Sequence, residues 1–280
     1  MVAITADILT TVIKKRRSNT HKGNYGRVLL IGGSENYGGA IIMAAEGALN
    51  SGAGLVAVAT HSLNAAALHA RDPEIMYVDW RDRNLPVLIK KMDVVVCGPG
   101  LGLSPFASKI MHLLCSNLTE KQTLVLDASS LDLIAQDYNL IPQLAGKIIL
   151  TPHQMEWQRV SQIKIPFQAD SANIATLNRL FPRQNAVLVL KSNHTHIYDG
   201  QGQIFVNPLG NPGMATGGTG DTLAGIIGGL VAQFGNNLDV ILAAVYLHSL
   251  AGDQIAQTDY VVRPTKLSAL LPQIMRKFAN

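Results

Sequence analysis

Charged residues are scarce in this chain. Asp, Glu, Lys and Arg make up 15% of its 280 residues and aromatic residues 5%, whereas charged residues account for ~25% of a typical soluble domain. Because 48% of the residues are hydrophobic, the composition excludes a disordered segment, which combines high charge with little apolar content. We therefore expect extensive buried surface, either in a sheet covered on both faces or in contacts between subunits.

The chain also lacks the ~18 consecutive apolar residues that a membrane-spanning helix needs. The best candidates, 40–59 and 222–234, are interrupted or too short. The amino terminus has no signal-peptide core and becomes basic over Lys14–Arg17, which we interpret as the end of a short amphipathic helix. A nucleic-acid arm is the alternative, but no aromatic residues are interleaved and no basic stripe continues. We predict neither a membrane nor a nucleic-acid partner.

Cysteine is nearly absent, and several catalytic motifs are missing. Cys97 and Cys115 form no Cys-x-x-Cys pair, so we expect free thiols, a reducing compartment and a cytoplasmic location. The histidines show no metal-ligand spacing, and no Gly-x-Ser-x-Gly elbow indicates a serine hydrolase. The net charge of +4 mildly favours acidic ligands.

What the chain does have is an alternation of short apolar runs and helical stretches. We predict strands at 28–31, 55–59, 75–78, 94–96, 123–126, 148–150 and 187–190. Helical spacing occupies 38–51, 104–117, 129–136 and 167–180. This alternation predicts parallel crossovers, and the continuous apolar strands predict cover on both sheet faces. The fold class is therefore α/β, a three-layer α/β/α sandwich with a mostly parallel sheet.

The last third of the chain departs from this pattern. An Asp-Gly turn joins 195–198 to 203–206, which predicts an antiparallel hairpin. A helix over 221–234 and a last helix near 239–257 follow. No linker or repeat interrupts the chain, so we expect a single domain over 1–280.

The strongest candidate site is the glycine-rich loop Asn211–Asp221. Such a loop at a helix start directs backbone amides at an anion, even without side-chain cations. Asp221 is either a first-turn capping carboxylate or, beside a bound phosphate, a general base. Gly217, Gly218, Thr219 and Gly220 would form the anion hole.

Two further glycine-rich loops follow predicted strands, at Gly32–Ala40 and Gly98–Gly102. They match neither a P-loop nor a Gly-x-Gly-x-x-Gly fingerprint. Each alone is explained equally well as a tight turn. Since ligands of open α/β sheets bind at the carboxyl ends of strands, three such loops together favour a binding site.

Polar residues follow two more predicted strands. In Thr151–Glu156, His153 is either structural or near the ligand, and Glu156 is either a capping carboxylate or a group that orders the water around magnesium. The run from Lys191 to Thr195 suits a nucleotide phosphate or ribose, with a solvated turn as the alternative.

With these motifs in place, residues 20–275 resemble the ADP/ATP-dependent NAD(P)H-hydrate dehydratases, a family of the ribokinase-like superfamily. The resemblance is carried by 21–27, 32–40, 98–102, 126–128, 150–153 and above all 211–221. It implies a ribokinase-like fold, ADP or ATP as co-substrate, Mg²⁺, and NADHX or NADPHX (hydrated NADH or NADPH, S epimer) as substrate. It also implies a homotetramer.

The resemblance further implies roles for individual residues. Asp221 matches the catalytic carboxylate, and Glu156 matches a carboxylate that orders magnesium. The positions that match substrate contacts are Ala40, Gly102, His153 and Asp221. The positions that match nucleotide contacts are Lys191, Ser192, Asn193, His194, Thr195 and Gly220.

This chain departs from the family pattern at three places. Gln154-Met155 replaces Pro-Gly, Ser129 or Ser130 replaces Asp, and Ser192 replaces the Gly of Lys-Gly. No segment corresponds to the epimerase half fused in many relatives, so we expect cooperation with a separate NAD(P)H-hydrate epimerase. One sequence does not display the preference between ADP and ATP, and the resemblance favours ADP.

Two other functions use the same residues. A small-alcohol kinase of the superfamily, of the hydroxymethylpyrimidine or hydroxyethylthiazole type, would stop at the phosphoester. A non-catalytic nucleotide-binding protein would bind without turnover, but it has no need of a carboxylate beside phosphate. The long glycine-lined loops favour a large dinucleotide over a small ring.

Overall fold

A ten-stranded sheet runs through the computed structural model, which describes residues 1–280. Its strands are β1 (Val2–Ala3), β2 (Arg27–Ile31), β3 (Leu55–Thr60), β4 (Met76–Asp79), β5 (Val94–Cys97), β6 (Thr123–Leu126), β7 (Lys147–Leu150), β8 (Ala186–Leu190), β9 (His196–Asp199) and β10 (Ile204–Val206). Their spatial order is β1-β10-β9-β8-β7-β6-β5-β2-β3-β4. Only β8–β9 and β9–β10 pair antiparallel, so the mostly parallel sheet and the hairpin are both confirmed.

Eleven α-helices connect or flank these strands. They are α1 (Asp7–Val12), α2 (Gly38–Asn50), α3 (Ala65–Arg71), α4 (Leu85–Lys91), α5 (Pro105–Asn117), α6 (Ser129–Gln136), α7 (Gln154–Ser161), α8 (Asp170–Leu180), α9 (Thr219–Phe234), α10 (Leu238–Ala256) and α11 (Pro264–Phe278). The helices predicted over 38–51, 104–117 and 129–136 are confirmed to within one residue at each end.

Two sequence predictions about helices are wrong. The basic cluster Lys14–Arg17 is not the end of a helix, because α1 ends at Val12 and the backbone of Ile13 becomes extended as its side chain is buried. The helix at 238–256 is not the last, since α11 follows it. Pro264 and Pro272 weaken the helical signal there, but Pro264 lies in the first turn, where its missing N–H costs nothing.

The sheet separates two hydrophobic cores. Along β2, Val28 and Leu30 face one core, while Leu29 and Ile31 face the other. Helices α1, α2, α9, α10 and α11 cover the first core, of 41 buried residues. The second, of 35, lies against α4 to α8. The predicted cover on both faces is confirmed, and it explains why the strands carry no alternating polar residues.

Helix α10 has the length and composition of a membrane-spanning helix, but 72% of its apolar window is buried inside the protein. It packs on α9 and α11 in the first core. A helix that is apolar on most sides and buried in this way is typical of a protein interior.

The carboxyl ends of five parallel strands meet along one edge of the sheet. Strands β2, β5, β6, β7 and β8 are mutually parallel neighbours. The segments that follow them therefore emerge at the same edge. They include each of the strand-end loops predicted as candidate sites.

Candidate active site

The amino-terminal turn of α9 forms the centre of the site. Gly218 precedes the helix with a φ of +97°, a left-handed conformation that favours glycine. A Cβ atom there would come within 2.2 Å of the Met43 sulfur, so no other residue fits without rearrangement. The helix begins at Thr219 and places the partly buried Asp221 in its first turn, where unpaired backbone N–H groups favour anions.

An ion pair between a buried carboxylate and a partly buried ammonium lies against this turn. The Lys191 ammonium donates to Asp127 Oδ1 at 2.9 Å, and the Thr151 hydroxyl donates to the same oxygen at 2.8 Å. A Cβ on Gly220 would lie 2.9 Å from Lys191 Nζ, so the ammonium contacts the helix start. The anion-binding loop therefore has a side-chain cation as well as backbone amides.

The neighbouring charges shift the protonation of these groups. Burial and the negative charges of Asp127 and Glu156 raise the pKa of Asp221 to about 7, although the positive charge of Lys191 opposes this shift. Burial disfavours the Lys191 ammonium, but the Asp127 and Glu156 carboxylates outweigh it and raise its pKa. A carboxyl group with a pKa near neutrality beside a permanent cation is a good candidate for a proton acceptor at physiological pH.

His153 and Glu156 form a capping box at the start of α7. His153 Nδ1 accepts from the Met155 and Glu156 amides at 3.1 and 3.2 Å, and Glu156 Oε2 accepts from the His153 amide at 2.8 Å. Because Nδ1 is an acceptor, Nε2 carries the proton and lies 3.3 Å from Glu156 Oε1. The structural interpretation of both residues is thus confirmed. About half of the His153 side chain stays exposed at the sheet edge, so a substrate contact stays a prediction.

A cavity of about 350 Å³ opens beside Lys191 and Gly220. Its lining comes from the β8–β9 connection, the segment 209–215, the start of α9, and α10, namely Lys191, Ser192, Asn193, Thr195, Leu209, Gly210, Asn211, Pro212, Met214, Ala215, Thr219, Gly220, Leu223, Val245, His248 and Ser249. Five of the six residues predicted to hold nucleotide line it, whereas the exposed His194 does not. Of the predicted anion hole, Thr219 and Gly220 line it, while Gly217 and Gly218 form the preceding turn.

The two other glycine-rich loops lie side by side. The Gly33 amide donates to the Pro99 carbonyl at 2.9 Å, and the Ser34 amide donates to the Gly100 carbonyl at 2.6 Å. A Cβ on Gly100 would lie 3.1 Å from the Ala40 Cβ, so Ala40 borders this loop pair. The contact between Met43 on α2 and Gly218 brings the loop pair next to the start of α9.

The residues that depart from the family pattern have local partners. The Ser129 hydroxyl accepts from the Gly102 amide at 3.0 Å, which ties the start of α6 to a predicted substrate loop. The buried Ser130 hydroxyl donates to the Cys97 and Asp127 carbonyls at 3.0 and 2.8 Å. Ser192 donates to the His194 carbonyl and so closes the turn after β8. Gln154 and Met155 are the first residues of α7.

Sequence reasoning assigned no role to three residues that touch this site. Asp127 lies in the segment 126–128, one of those that carry the family resemblance. Its position directly after a predicted strand is the signal that could have identified it as a site residue. His248 and Asp253 are polar residues in a mostly apolar helix, α10, and His248 Nε2 lies 3.1 Å from the Thr219 carbonyl. Their role depends on a contact between segments far apart in sequence, which a reading of apolar spacing does not reveal.

Comparisons with known proteins show which family this chain resembles. The sequence profile of the NAD(P)H-hydrate dehydratase family matches residues 28–273. The ADP-dependent (S)-NAD(P)H-hydrate dehydratase of Lactiplantibacillus plantarum is 47% identical over 281 residues, which cover 100% of this chain and 99% of that protein.

Two solved structures extend the comparison. A ribokinase-like superfamily protein from Enterococcus faecalis superimposes with a TM-score of 0.94 at 46% identity, over 99% of this chain and 96% of that one, which confirms the ribokinase-like fold. The ADP/ATP-dependent NAD(P)H-hydrate dehydratase of Bacillus subtilis, co-crystallised with ATP and Mg²⁺, gives a TM-score of 0.83 at 27% identity, with 98% and 97% of the two chains covered. By profile, sequence and fold together, this chain belongs to the NAD(P)H-hydrate dehydratase family.

Proposed function

We propose that this protein uses an adenine nucleotide to dehydrate the S epimer of NADHX or NADPHX back to NADH or NADPH. The observation that carries the proposal is the position of Asp221, whose carboxyl group has a pKa of about 7 and lies in the first turn of α9 beside Lys191. Relatives that are 40–47% identical over nearly the full chain are named ADP-dependent (S)-NAD(P)H-hydrate dehydratases, which supports the same conclusion.

The chemical difficulty is that hydroxide is a poor leaving group. In the proposed reaction the ring hydroxyl loses its proton to Asp221 while its oxygen attacks the terminal phosphorus of the nucleotide. The bond from that phosphorus to the bridging oxygen breaks, which releases AMP from ADP, or ADP from ATP. Inorganic phosphate then leaves with the former hydroxyl oxygen, a ring proton is lost, and the conjugation of the dihydronicotinamide is restored.

The surroundings of Asp221 suit the first of these steps. The free amides at the start of α9 and the Lys191 ammonium provide positive charge where the transferred phosphoryl group develops negative charge. The Asp127 carboxylate accepts from that ammonium, and the Thr151 hydroxyl donates to the same carboxylate oxygen. Because hydrogen bonds within the protein hold this arrangement in place, little reorganisation is needed during the reaction.

The two substrates would approach Asp221 from different sides. The nucleotide would occupy the cavity between the Lys191–Thr195 run and the glycine-rich loop. The dinucleotide would contact Ala40, Gly102 and His153 along the paired loops. This division would bring the attacking oxygen and the terminal phosphate together beside the same carboxylate.

The acidic residues fit a magnesium ion held mainly by phosphates and water. No group of three or more His, Cys, Asp or Glu side chains converges into a metal cage. Glu156 and Asp127 supply hard oxygen donors close enough to perturb Asp221, and Mg²⁺ commonly keeps several waters and few carboxylates. When bound, the ion would neutralise phosphate charge, with Glu156 ordering its water shell.

Three further features belong to the same proposal. We expect a homotetramer, because charged residues are few and large apolar side chains such as Phe167 and Tyr260 are 69% and 98% exposed. We expect a cytoplasmic location and a separate epimerase that supplies the S epimer. We take ADP as the preferred nucleotide, since the full-length relatives are named for it.

The decisive experiment supplies S-NADHX, Mg²⁺ and either ADP or ATP, and follows recovery of the reduced-nicotinamide absorbance. We expect one AMP and one phosphate per NADH formed with ADP, and no recovery without nucleotide. Nucleotide consumed only with a free alcohol such as hydroxymethylpyrimidine would indicate the kinase instead. Tight nucleotide binding with no product would indicate a non-catalytic binding protein.

A further inference from the structure

One face of α10 lies along the glycine-rich loop. Five residues of this helix recur at intervals of three or four residues or directly adjoin one another, so they share one face. They are Val245, His248, Ser249, Gly252 and Asp253. Three of them are polar, although α10 is otherwise a core helix. Each polar side chain hydrogen-bonds a different part of the segment between residues 207 and 219.

Asp253 holds one end of the loop. Its Oδ1 accepts from the Asn211 side-chain amide at 2.8 Å, and its Oδ2 accepts from the Gly210 backbone amide at 3.2 Å. Both partners line the nucleotide cavity. One carboxylate therefore fixes a side chain and the backbone of the same turn.

The middle of the loop is fixed by packing. A Cβ at Gly252 would come within 2.4 Å of the Met214 sulfur, so Met214 rests directly on the α10 backbone. Next to it, the buried Asn207 side chain donates to the Ser249 hydroxyl at 2.8 Å. The loop therefore follows the surface of α10 closely between its two ends.

His248 holds the other end. Its Nε2 lies 3.1 Å from the Thr219 carbonyl in the first turn of α9, and since a carbonyl only accepts, Nε2 must carry the proton. Burial lowers the pKa of His248 to about 4, so the ring is a neutral donor at physiological pH. Thr219 and Gly220 belong to the proposed anion hole, and His248 contacts that turn from the side.

The cavity has two chemically different ends. Anionic phosphates fit the end at Gly220 and Lys191, where helix amides and an ammonium converge. The base and sugar then occupy the remainder, lined by the apolar Leu209, Pro212 and Met214. Asp253 lies at the base-and-sugar end and His248 at the phosphate end.

We propose that Asp253 and His248 are positioning residues with separate effects, Asp253 shaping the pocket for the base and sugar and His248 aligning the first turn of α9 with the transferred phosphate. This inference rests on the proposed use of an adenine nucleotide. Removing the Asp253 clamp weakens nucleotide binding, and removing the His248 donor lowers turnover.

The test compares Asp253→Asn, His248→Leu and His248→Gln with the matched control Asp239→Asn, which makes the same substitution at an exposed position of the same helix. The dissociation constant of ADP is measured by calorimetry, and kcat and KM are measured with S-NADHX. A thermal melt of each variant shows whether it is folded.

Asp253→Asn replaces one carboxylate oxygen, which accepts a hydrogen bond from the loop, with an amide NH₂ group, which can only donate. That group then faces an N–H donor of the loop. We expect the Kd and KM for ADP to rise about 10-fold, with kcat within about twofold. His248→Leu should lower kcat about 10-fold, with the Kd for ADP within about threefold. His248→Gln, whose amide can donate to the same carbonyl, should recover most of that loss.

Other outcomes overturn the inference. If folded Asp253→Asn binds ADP as tightly as the wild type does, Asp253 does not clamp the loop for nucleotide binding. If His248→Leu keeps the wild-type kcat, His248 does not align the first turn of α9. Equal changes of Kd and kcat in both variants would mean that α10 acts only as general support. If the wild-type protein binds ADP but does not dehydrate NADHX, while Asp253→Asn still weakens binding, the proposed function is wrong and the Asp253 clamp stands.

Discussion

The two ends of α9 offer an instructive comparison. This 16-residue helix is about 24 Å long, and each end borders a cavity. The cavity at the amino end has a volume of about 350 Å³, and the one at the carboxyl end about 440 Å³. The second is larger and is lined by more cations, including Lys14, Lys15, Arg16 and Arg276.

The cations at the two ends have different partners. At the carboxyl end, Arg16 donates to the Gly52 carbonyl and to Gln233 Oε1, and its guanidinium lies 3.8 Å from the centre of the Tyr25 ring. No Asp or Glu side chain lines either cavity. At the amino end, Lys191 is paired with a buried carboxylate and couples to Asp221.

The difference follows from the helix dipole. Cations near a helix carboxyl end satisfy carbonyls and stabilise the fold, whereas the amino end attracts anions. At the amino end, a partly buried carboxylate is coupled to a partly buried ammonium, an arrangement that the larger, more basic cavity lacks. Coupling between charges, rather than cavity volume or the number of cations, distinguishes the end that we propose to be reactive.

The largest effect should come from removing the carboxylate at the amino end. Asp221→Asn keeps the shape of the side chain but cannot accept the hydroxyl proton, so we expect kcat to fall about 10²–10⁴-fold. The Kd for ADP should change little. Steady-state kinetics and calorimetry measure the two effects, and near-normal turnover would refute the role of Asp221 as the base.

The second largest effect is a pH dependence of activity that arises from Asp221 at the amino end of α9. Since burial raises the pKa of Asp221 to about 7, kcat/KM should rise about tenfold per pH unit below 7 and level off above it. The residual activity of Asp221→Asn should lack this rise. A wild-type profile that is flat between pH 5.5 and 8 would contradict the assignment.

The same pKa shift predicts that stability falls as the pH rises, which is opposite to the change in activity. The folded-state pKa of Asp221 lies above its unfolded value, so its stabilising contribution is complete below about pH 4 and is lost as the pH rises to about 7. Asp221→Asn should therefore melt at a higher temperature than the wild type at pH 8, and the difference should shrink at pH 5. This result would separate the loss of activity from damage to the fold.

The smallest effect is expected at the carboxyl end. Arg16→Gln removes a cation from the Gly52 carbonyl, from the Gln233 side chain and from the Tyr25 ring, so we expect Tm to fall by no more than about 4 °C. Because the substitution lies at the far end of α9, kcat and KM should stay within about twofold. A large loss of activity would show that the two ends are coupled and would end the comparison.

Local sequence patterns predicted most of the fold. Continuous Val, Leu and Ile runs mark the central strands, because a sheet covered on both faces needs apolar residues at every position. The Asp-Gly turn located the hairpin for a similarly local reason. The pattern failed at α11, where two prolines obscure the helical spacing, and at Lys14–Arg17, where tertiary burial of Ile13 ends the helix early.

The candidate site also has parts that local sequence patterns predict and parts that they do not. Asp221 and the glycines before it stand out because several unusual residues occur within a few positions. The pairing of Lys191 with Asp127 spans 64 residues, and the contact of His248 with Thr219 spans 29. No local pattern encodes such distances, so these partners become visible only when the strands and helices are packed together.

The hydrogen bonding beyond the ends of β7 and β8 has a final consequence. The Lys191 amide donates to the Pro152 carbonyl at 2.8 Å, and His153 and Lys191 form an isolated parallel bridge. The backbone that bears the ammonium thus extends the sheet by one more rung rather than belonging to a free loop. Its conformational entropy is already lost during folding, so a ligand that reaches this position does not have to order it, and more of its contact energy remains as affinity.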